Sequence, residues 1–201
     1  MAEPDWVTLG VGFVGALVGG AATLAGARWQ LAAAARDQRE RENRHHAAIL
    51  RAVHDELETM RDMYNLTVGS SIAALPENKP FYYYWPVNHD YFTVYNGNAV
   101  FIGHISDVDL RKEIIVAYTR ARALIDSFRL NNWMVERREM AYLTWQQAQT
   151  PANLQALQSR DAVLTDYAAT LKKGHVMLNT SLDTVLRSLR KAGVLNPIQA
   201  G

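Results

Sequence analysis

The sequence predicts an all-α protein: an N-terminal transmembrane helix continuing into an antiparallel three-long-helix bundle, with an aromatic loop at the membrane-distal end. Three observations carry this. Trp6–Ala27 is an unbroken run of 22 residues without a charge. Apolar residues then recur at three- and four-residue spacing through 49–72, 110–142 and 154–189, and no stretch alternates as a half-buried strand would. Pro76 and Thr150-Pro151 punctuate these runs where a helix should stop or restart.

The first run sets the location. At about 1.5 Å per residue, a helix over Trp6–Ala27 reaches roughly 33 Å, enough to cross a hydrocarbon core of about 30 Å. A cleaved signal peptide would need a basic start, and Met1–Asp5 is acidic; a buried core helix is usually shorter. No Lys or Arg precedes the run, whereas Arg28, Arg36, Arg39, Arg41 and Arg44 follow it. The positive-inside rule therefore places the N-terminus outside and the body in the cytoplasm, as a single-pass protein of a bacterial inner membrane. Trp6 and Trp29 bracket the span at interfacial positions. The chain has no Cys, which fits a cytoplasmic body and excludes disulfides. Within the run, Gly12, Ala16 and Gly20 repeat every four residues, as do Gly15 and Gly19. Such small-xxx-small ladders let helix backbones approach closely, so a homo-oligomer through the transmembrane helix is expected.

The division that follows is an extracytoplasmic tail over 1–5, the transmembrane helix over 6–27, a charged helical stalk over 28–48, a cytoplasmic bundle over 49–195 and a tail over 196–201. A formal net charge of +1 gives no basic surface, so no nucleic-acid partner is expected.

The first helix should run from Arg28 to about Leu75. Arg28–Arg44 is solvated and charged, and then Ile49, Val53, Leu57, Met60, Tyr64, Val68 and Ile72 form one stripe. Gly69 should weaken this helix by about 1 kcal/mol relative to Ala. Residues 76–105 form an aromatic-rich connection, irregular apart from a short helix around Asp90–Val94, with turn signals at Glu77–Pro80 and Asn96-Gly97-Asn98. Ser106 with Asp109 reads as a capping box opening the second helix. That helix carries Leu110, Ile114, Tyr118, Ala121, Ile125 and Phe128, then Asn132, Val135 and Tyr142, and ends near Ala148. Thr150 caps the third helix, whose seam is Leu154, Leu157, Asp161, Leu164, Ala168, Leu171, His175, Leu178, Leu182, Val185 and Leu189. Arg187, Arg190 and Lys191 complement its C-terminal dipole, and Gly193 and Pro197 close it. In this arrangement the first helix rises from the membrane, the second returns and the third rises again.

Few residues suggest chemistry. Glu42-Asn-Arg-His45 has the E-x-x-H spacing of helical di-iron sites, but such sites need a second copy and further inward Glu residues, and no other His has Glu three positions before it. His54 with Glu58 reads as a solvated i,i+4 pair. His175, among leucines, is either a pH switch or a core imidazole satisfied by an Asp or Asn on a facing helix. Asn132 and Asp161 read as buried polar residues that set register. There is no phosphate-binding Gly loop, no G-x-S-x-G and no H-E-x-x-H. Catalytic residues, cofactors and metal ions are therefore not expected.

The candidate partner or ligand surface is the aromatic segment. Phe81, Tyr82, Tyr83, Tyr84, Trp85, Tyr91, Phe92 and Tyr95 place eight rings within 15 residues. Tyr and Trp combine large apolar area with a polar tip, which suits recognition. The competing role is a plug for the open end of the bundle.

Asp90-Tyr-Phe-Thr-Val-Tyr95, Ala117-Tyr-Thr-Arg-Ala-Arg122 and Ile125-Asp-Ser-Phe-Arg-Leu-Asn-Asn132, together with the Gly-rich anchor, resemble uncharacterised bacterial single-pass membrane proteins with a helical cytoplasmic domain. The resemblance implies the fold and the anchor and brings no activity. The reading is a membrane-anchored helical interaction or scaffold protein without catalytic activity, whose partners are the lipid bilayer, a second copy and an unknown protein. The alternatives are a ligand-responsive membrane sensor or effector using 81–95 and, more weakly, a helical metalloenzyme.

Overall fold

The computed structural model describes residues 6–87 and 91–195, with side chains at Thr23 and from Gly26 onward. The tails over 1–5 and 196–201 lie outside the described residues. So do the side chains of Gly12, Gly15, Ala16, Gly19 and Gly20, and with them most of the expected span. Among the described residues no helix is long and apolar enough to cross a membrane.

The protein is all-helical, with no strand among the described residues. The elements are α1 (Trp6–Tyr64), a π-helical turn (Asn65–Gly69), α2 (Ser70–Ala73), α3 (Thr93–Gly97), α4 (Ala99–Gly103), α5 (Val108–Gln147) and α6 (Pro151–Lys191). Two compact units divide the chain, 1–47 and 48–201. In the first unit, residues 26–46 are exposed along their helix, and Gln38 with Glu42 and Arg44 with Glu40 make i,i+4 contacts.

In the second unit, α5 and α6 are two long helices packed on each other. They are joined through Ala148, Gln149 and Thr150, a connection short enough to force an antiparallel hairpin. The restart at Thr150 forms as expected: its hydroxyl accepts from the Asn153 N–H, with Pro151 at the first helical position. At the start of α5 the cap is displaced by one residue. Asp107, in place of Ser106, accepts from the Asp109 and Leu110 N–H groups, a carboxylate at the positive end of the helix. α6 closes as a Schellman motif. Gly193 takes φ 76°, its N–H reaches the Arg190 carbonyl, and the Val194 N–H reaches the Leu189 carbonyl.

The stripe on the first helical run is buried as expected at Ile49, Val53, Leu57, Tyr64, Val68 and Ile72, and shares one core with α5 and α6. The helix directions differ from expectation. Glu56 meets Tyr118 and Tyr64 meets Phe128, so α5 runs parallel to this part of α1. Glu58 meets Arg190 and Tyr64 meets His175, so α6 runs antiparallel to both. The chain therefore goes up, returns through the connection, goes up again in α5 and comes down in α6.

This return path moves the aromatic segment. It is no loop at the end of the bundle; it lies along the flank of α5. The Tyr83 carbonyl accepts from Asn131, Trp85 packs on Phe128, and Phe92 packs on Tyr118. From Asn131 back to Tyr118 is about 20 Å of helix at the α-helical rise. The physical reason is that a connection laid on a helix must satisfy the backbone groups it covers and bury the rings that face the helix. Asn131 and Asn132 supply amides for the first need, and the α5 flank supplies apolar area for the second. The short helix expected around Asp90–Val94 starts at Thr93 instead, and of the expected turn Asn96-Gly97-Asn98 only Asn98 links α3 to α4, Asn96 and Gly97 being the end of α3.

Candidate functional site: an aromatic groove

Between α1, the returning connection and α5 lies a groove of about 780 Å³. One wall is α1, with Ala52, Thr59, Met60 and Met63; the opposite wall is Trp85, Tyr91, Phe92 and Val94; the floor is Ala121, Leu124, Ile125 and Phe128. A lining of aromatic, Met and aliphatic side chains with few polar groups is what a site for an apolar ligand requires.

The walls are held by specific contacts. Asn132 clasps Trp85 by its backbone: Oδ1 accepts from the Trp85 N–H at 3.0 Å and Nδ2 donates to the Trp85 carbonyl at 2.6 Å. The Trp85 ring then meets Phe128 edge-on, with centroids 4.7 Å apart. Asn131 donates to the Tyr83 carbonyl and leaves its own Oδ1 buried without a partner, a cost that fixing the strap offsets. Asn132 thus fixes the connection, and its role in helix register is corrected. Asp161 is corrected likewise: it is half-buried and accepts from the Tyr82 hydroxyl at 2.7 Å and Arg138 Nε at 3.0 Å.

Glu56 is the polar centre of the site. Its carboxylate accepts from the Val94 N–H (2.8 Å), the Tyr95 N–H (3.1 Å) and the Tyr118 hydroxyl (2.6 Å). It therefore caps α3 from another helix, where α3's own N-cap residue, Phe92, provides no side-chain cap. Burial, followed by the hydrogen bond to Glu56, pushes the Tyr118 hydroxyl well above its ordinary pKa, so it stays a donor. Phe92 adopts φ 69°, left-handed backbone that an aromatic residue rarely takes and that costs about 1–3 kcal/mol. The strain places its ring, 93 % buried by residue area (7 % exposed), edge-on to Tyr118 at 5.3 Å.

At the other end of the groove, Tyr64 Oη lies 2.8 Å from His175 Nδ1. Burial raises the Tyr64 pKa and lowers that of His175, so the tyrosine hydroxyl donates and the neutral imidazole accepts. His175 thus finds its partner in a tyrosine of α1, where an Asp or Asn was expected. The π-helical turn follows Tyr64 directly, and Gly69 shows why. A Cβ there would stand 2.7 Å from Asn65 Oδ1 and 2.9 Å from the Tyr64 ring. The glycine that helix propensity marks as a weakness is what lets the turn close over Tyr64 and Asn65.

The aromatic residues separate into two groups. Trp85, Tyr91 and Phe92 line the groove. Outside it, Tyr82, Tyr83 and Tyr84 are exposed, Phe81 is buried, and Tyr95 stacks on Tyr118 at 4.0 Å behind the wall. Sequence reasoning missed Glu56, Met60, Met63 and Tyr118 as parts of the site. The adjacent amides Asn131-Asn132 on an otherwise apolar face were the one available signal for the strap. His54, expected in a solvated pair with Glu58, is instead buried: Arg190 approaches its Nε2 at 3.4 Å, Nδ1 faces Asp55, and Glu58 pairs with Arg190. Glu42 and His45 are exposed, and no group of three or more His, Asp or Glu able to hold a metal occurs among the described residues. Compared with protein-family models, curated proteins and solved structures, the chain matches none.

Proposed function

We propose that the chain is a non-catalytic, membrane-anchored binding module in which a three-helix body with a return strap holds an apolar small molecule in the groove. One observation carries the reading: three of the eight rings of the aromatic segment converge with Met60, Met63, Ile125 and Phe128 on a single 780 Å³ space. Its volume and lining are those of ligand sites. The strained Phe92 and the carboxylate-capped α3 beside it support the reading, because strain of this kind collects at ligand clamps. The test is titration of the full chain with the neutral dye N-phenyl-1-naphthylamine, whose emission rises in apolar surroundings. Saturable binding that is lost in Met60→Trp, which fills the groove, is expected; dye uptake unaffected by that variant would refute the reading.

The anchor belongs to the proposal through the uncharged run Trp6–Ala27 and the arginines that follow it. Its orientation, N-terminus out, is open to a C-terminal fluorescent–phosphatase reporter pair, for which bright fluorescence without phosphatase activity is expected. A second reading, the scaffold acting through self-association, rests on the Gly15/Gly19 ladder. Replacing both by Leu should lower crosslinking yields in membranes; unchanged yields would remove that reading.

A further inference from the structure

The charge of the groove narrows what it can hold. Its described lining contains two acidic residues, Asp55 and Glu56, and no Lys, Arg or His. The Asp55 side chain is 64 % exposed, at the rim of the groove. Glu56 accepts one hydrogen bond on Oε1 and two on Oε2, of the roughly four that a carboxylate can take, so one oxygen keeps acceptor capacity. The same lining includes the aromatic rings of Tyr64, Trp85, Tyr91, Phe92 and Phe128. An aromatic face attracts a cation through its quadrupole, and more strongly where water is excluded. One ring already does so: the Arg122 guanidinium lies 5.8 Å from the Phe92 centroid and 5.5 Å from that of Tyr95.

We infer that the ligand of the groove is a lipophilic organic cation, a quaternary ammonium or similar onium centre carried on an apolar body, recognised by the ring faces and by Asp55 and Glu56. An apolar anion of the same shape would meet two like charges and no base in the lining; Arg122 stands outside it, donating to Asn96. This inference rests on the groove reading above and adds the sign of the charge.

Tetraphenylphosphonium and tetraphenylborate separate the two, being nearly identical in shape and opposite in charge. Both are titrated by calorimetry against the full chain in lipid nanodiscs, with empty nanodiscs subtracted. Tetraphenylphosphonium should bind at least about ten-fold more tightly than tetraphenylborate, the size of effect that a desolvated cation–π contact supplies. Asp55→Asn should weaken it several-fold, and Met60→Trp should abolish it. Asp55→Asn is the charge test because Glu56→Gln could also loosen α3; the melting temperature of each variant confirms that it is folded. Equal or tighter binding of tetraphenylborate, with both ions lost in Met60→Trp, would overturn the cation and leave the groove standing. Binding of the neutral dye but of neither ion would do the same. No groove-dependent binding of any probe would remove both.

Discussion

Two stretches of the α5–α6 hairpin have the same kind of sequence and different fates. From Leu110 to Phe128, α5 is covered by α6, by the stripe of α1 and by the aromatic strap, and Ile114, Ala117, Tyr118 and Phe128 are almost wholly buried. Beyond Asn132 the stripe of α1 has ended, and a small cluster of Met134, Val135 and Leu164 takes over. There Met140 is 60 % exposed, Leu143 55 % and Leu154, an expected seam residue, 40 %. Periodicity marks which face of a helix can be buried. It takes a third element to bury it.

The sharpest test of this contrast pairs one site from each stretch. Phe128→Ala should cost about 3–5 kcal/mol, as for other buried aromatics, while Leu154→Ala should cost less than about 0.5 kcal/mol. Chemical denaturation of the two variants measures both. A large loss at Leu154 would mean that the far end of the hairpin is covered in solution, and the contrast would fail.

The strap itself comes next. Trp85 packs edge-on against Phe128 and is partly buried, whereas Tyr83 is 48 % exposed. Trp85→Ala should therefore destabilise by about 2–4 kcal/mol, somewhat below a full core loss. Tyr83→Ala should change stability by less than about 0.5 kcal/mol, because its carbonyl, the group that Asn131 holds, is unaffected. Equal effects would show the strap to be either all architecture or all surface.

Gly69→Ala probes the π-helical turn beneath the groove. Helix propensity alone predicts a gain of about 1 kcal/mol. The missing space beside Tyr64 predicts a loss of about 1–3 kcal/mol, because that ring is held by His175 and Phe128 and cannot easily yield. The sign of the change in melting temperature decides between them.

The smallest expected effect is a pH dependence. His175 has its pKa lowered from 6.5 by burial, so the unfolded chain takes up its proton first as pH falls. Its contribution is fully present above about pH 6.5 and is lost progressively as the pH drops from there through the lower, folded-state value. Melts of the wild type and His175→Gln between pH 7.5 and 5 should show a steeper loss for the wild type. Parallel curves would place the imidazole outside the cooperative core.

Sequence alone determined much of the local structure. The stripe Ile49–Ile72, the Thr150-Pro151 restart, the Gly193 stop and the buried seam from Leu157 to Leu189 all follow from short-range chemistry: periodicity, caps and backbone freedom. Direction did not follow, because an apolar stripe looks the same to a parallel and an antiparallel partner. Only the tertiary structure decided that the connection returns along α5. That choice turned eight clustered rings into three that line a groove and others that do not. It also gave Glu56 its role, since its three donors lie 38, 39 and 62 positions away in the chain. No local pattern encodes a carboxylate whose partners meet only after the chain has folded back on itself.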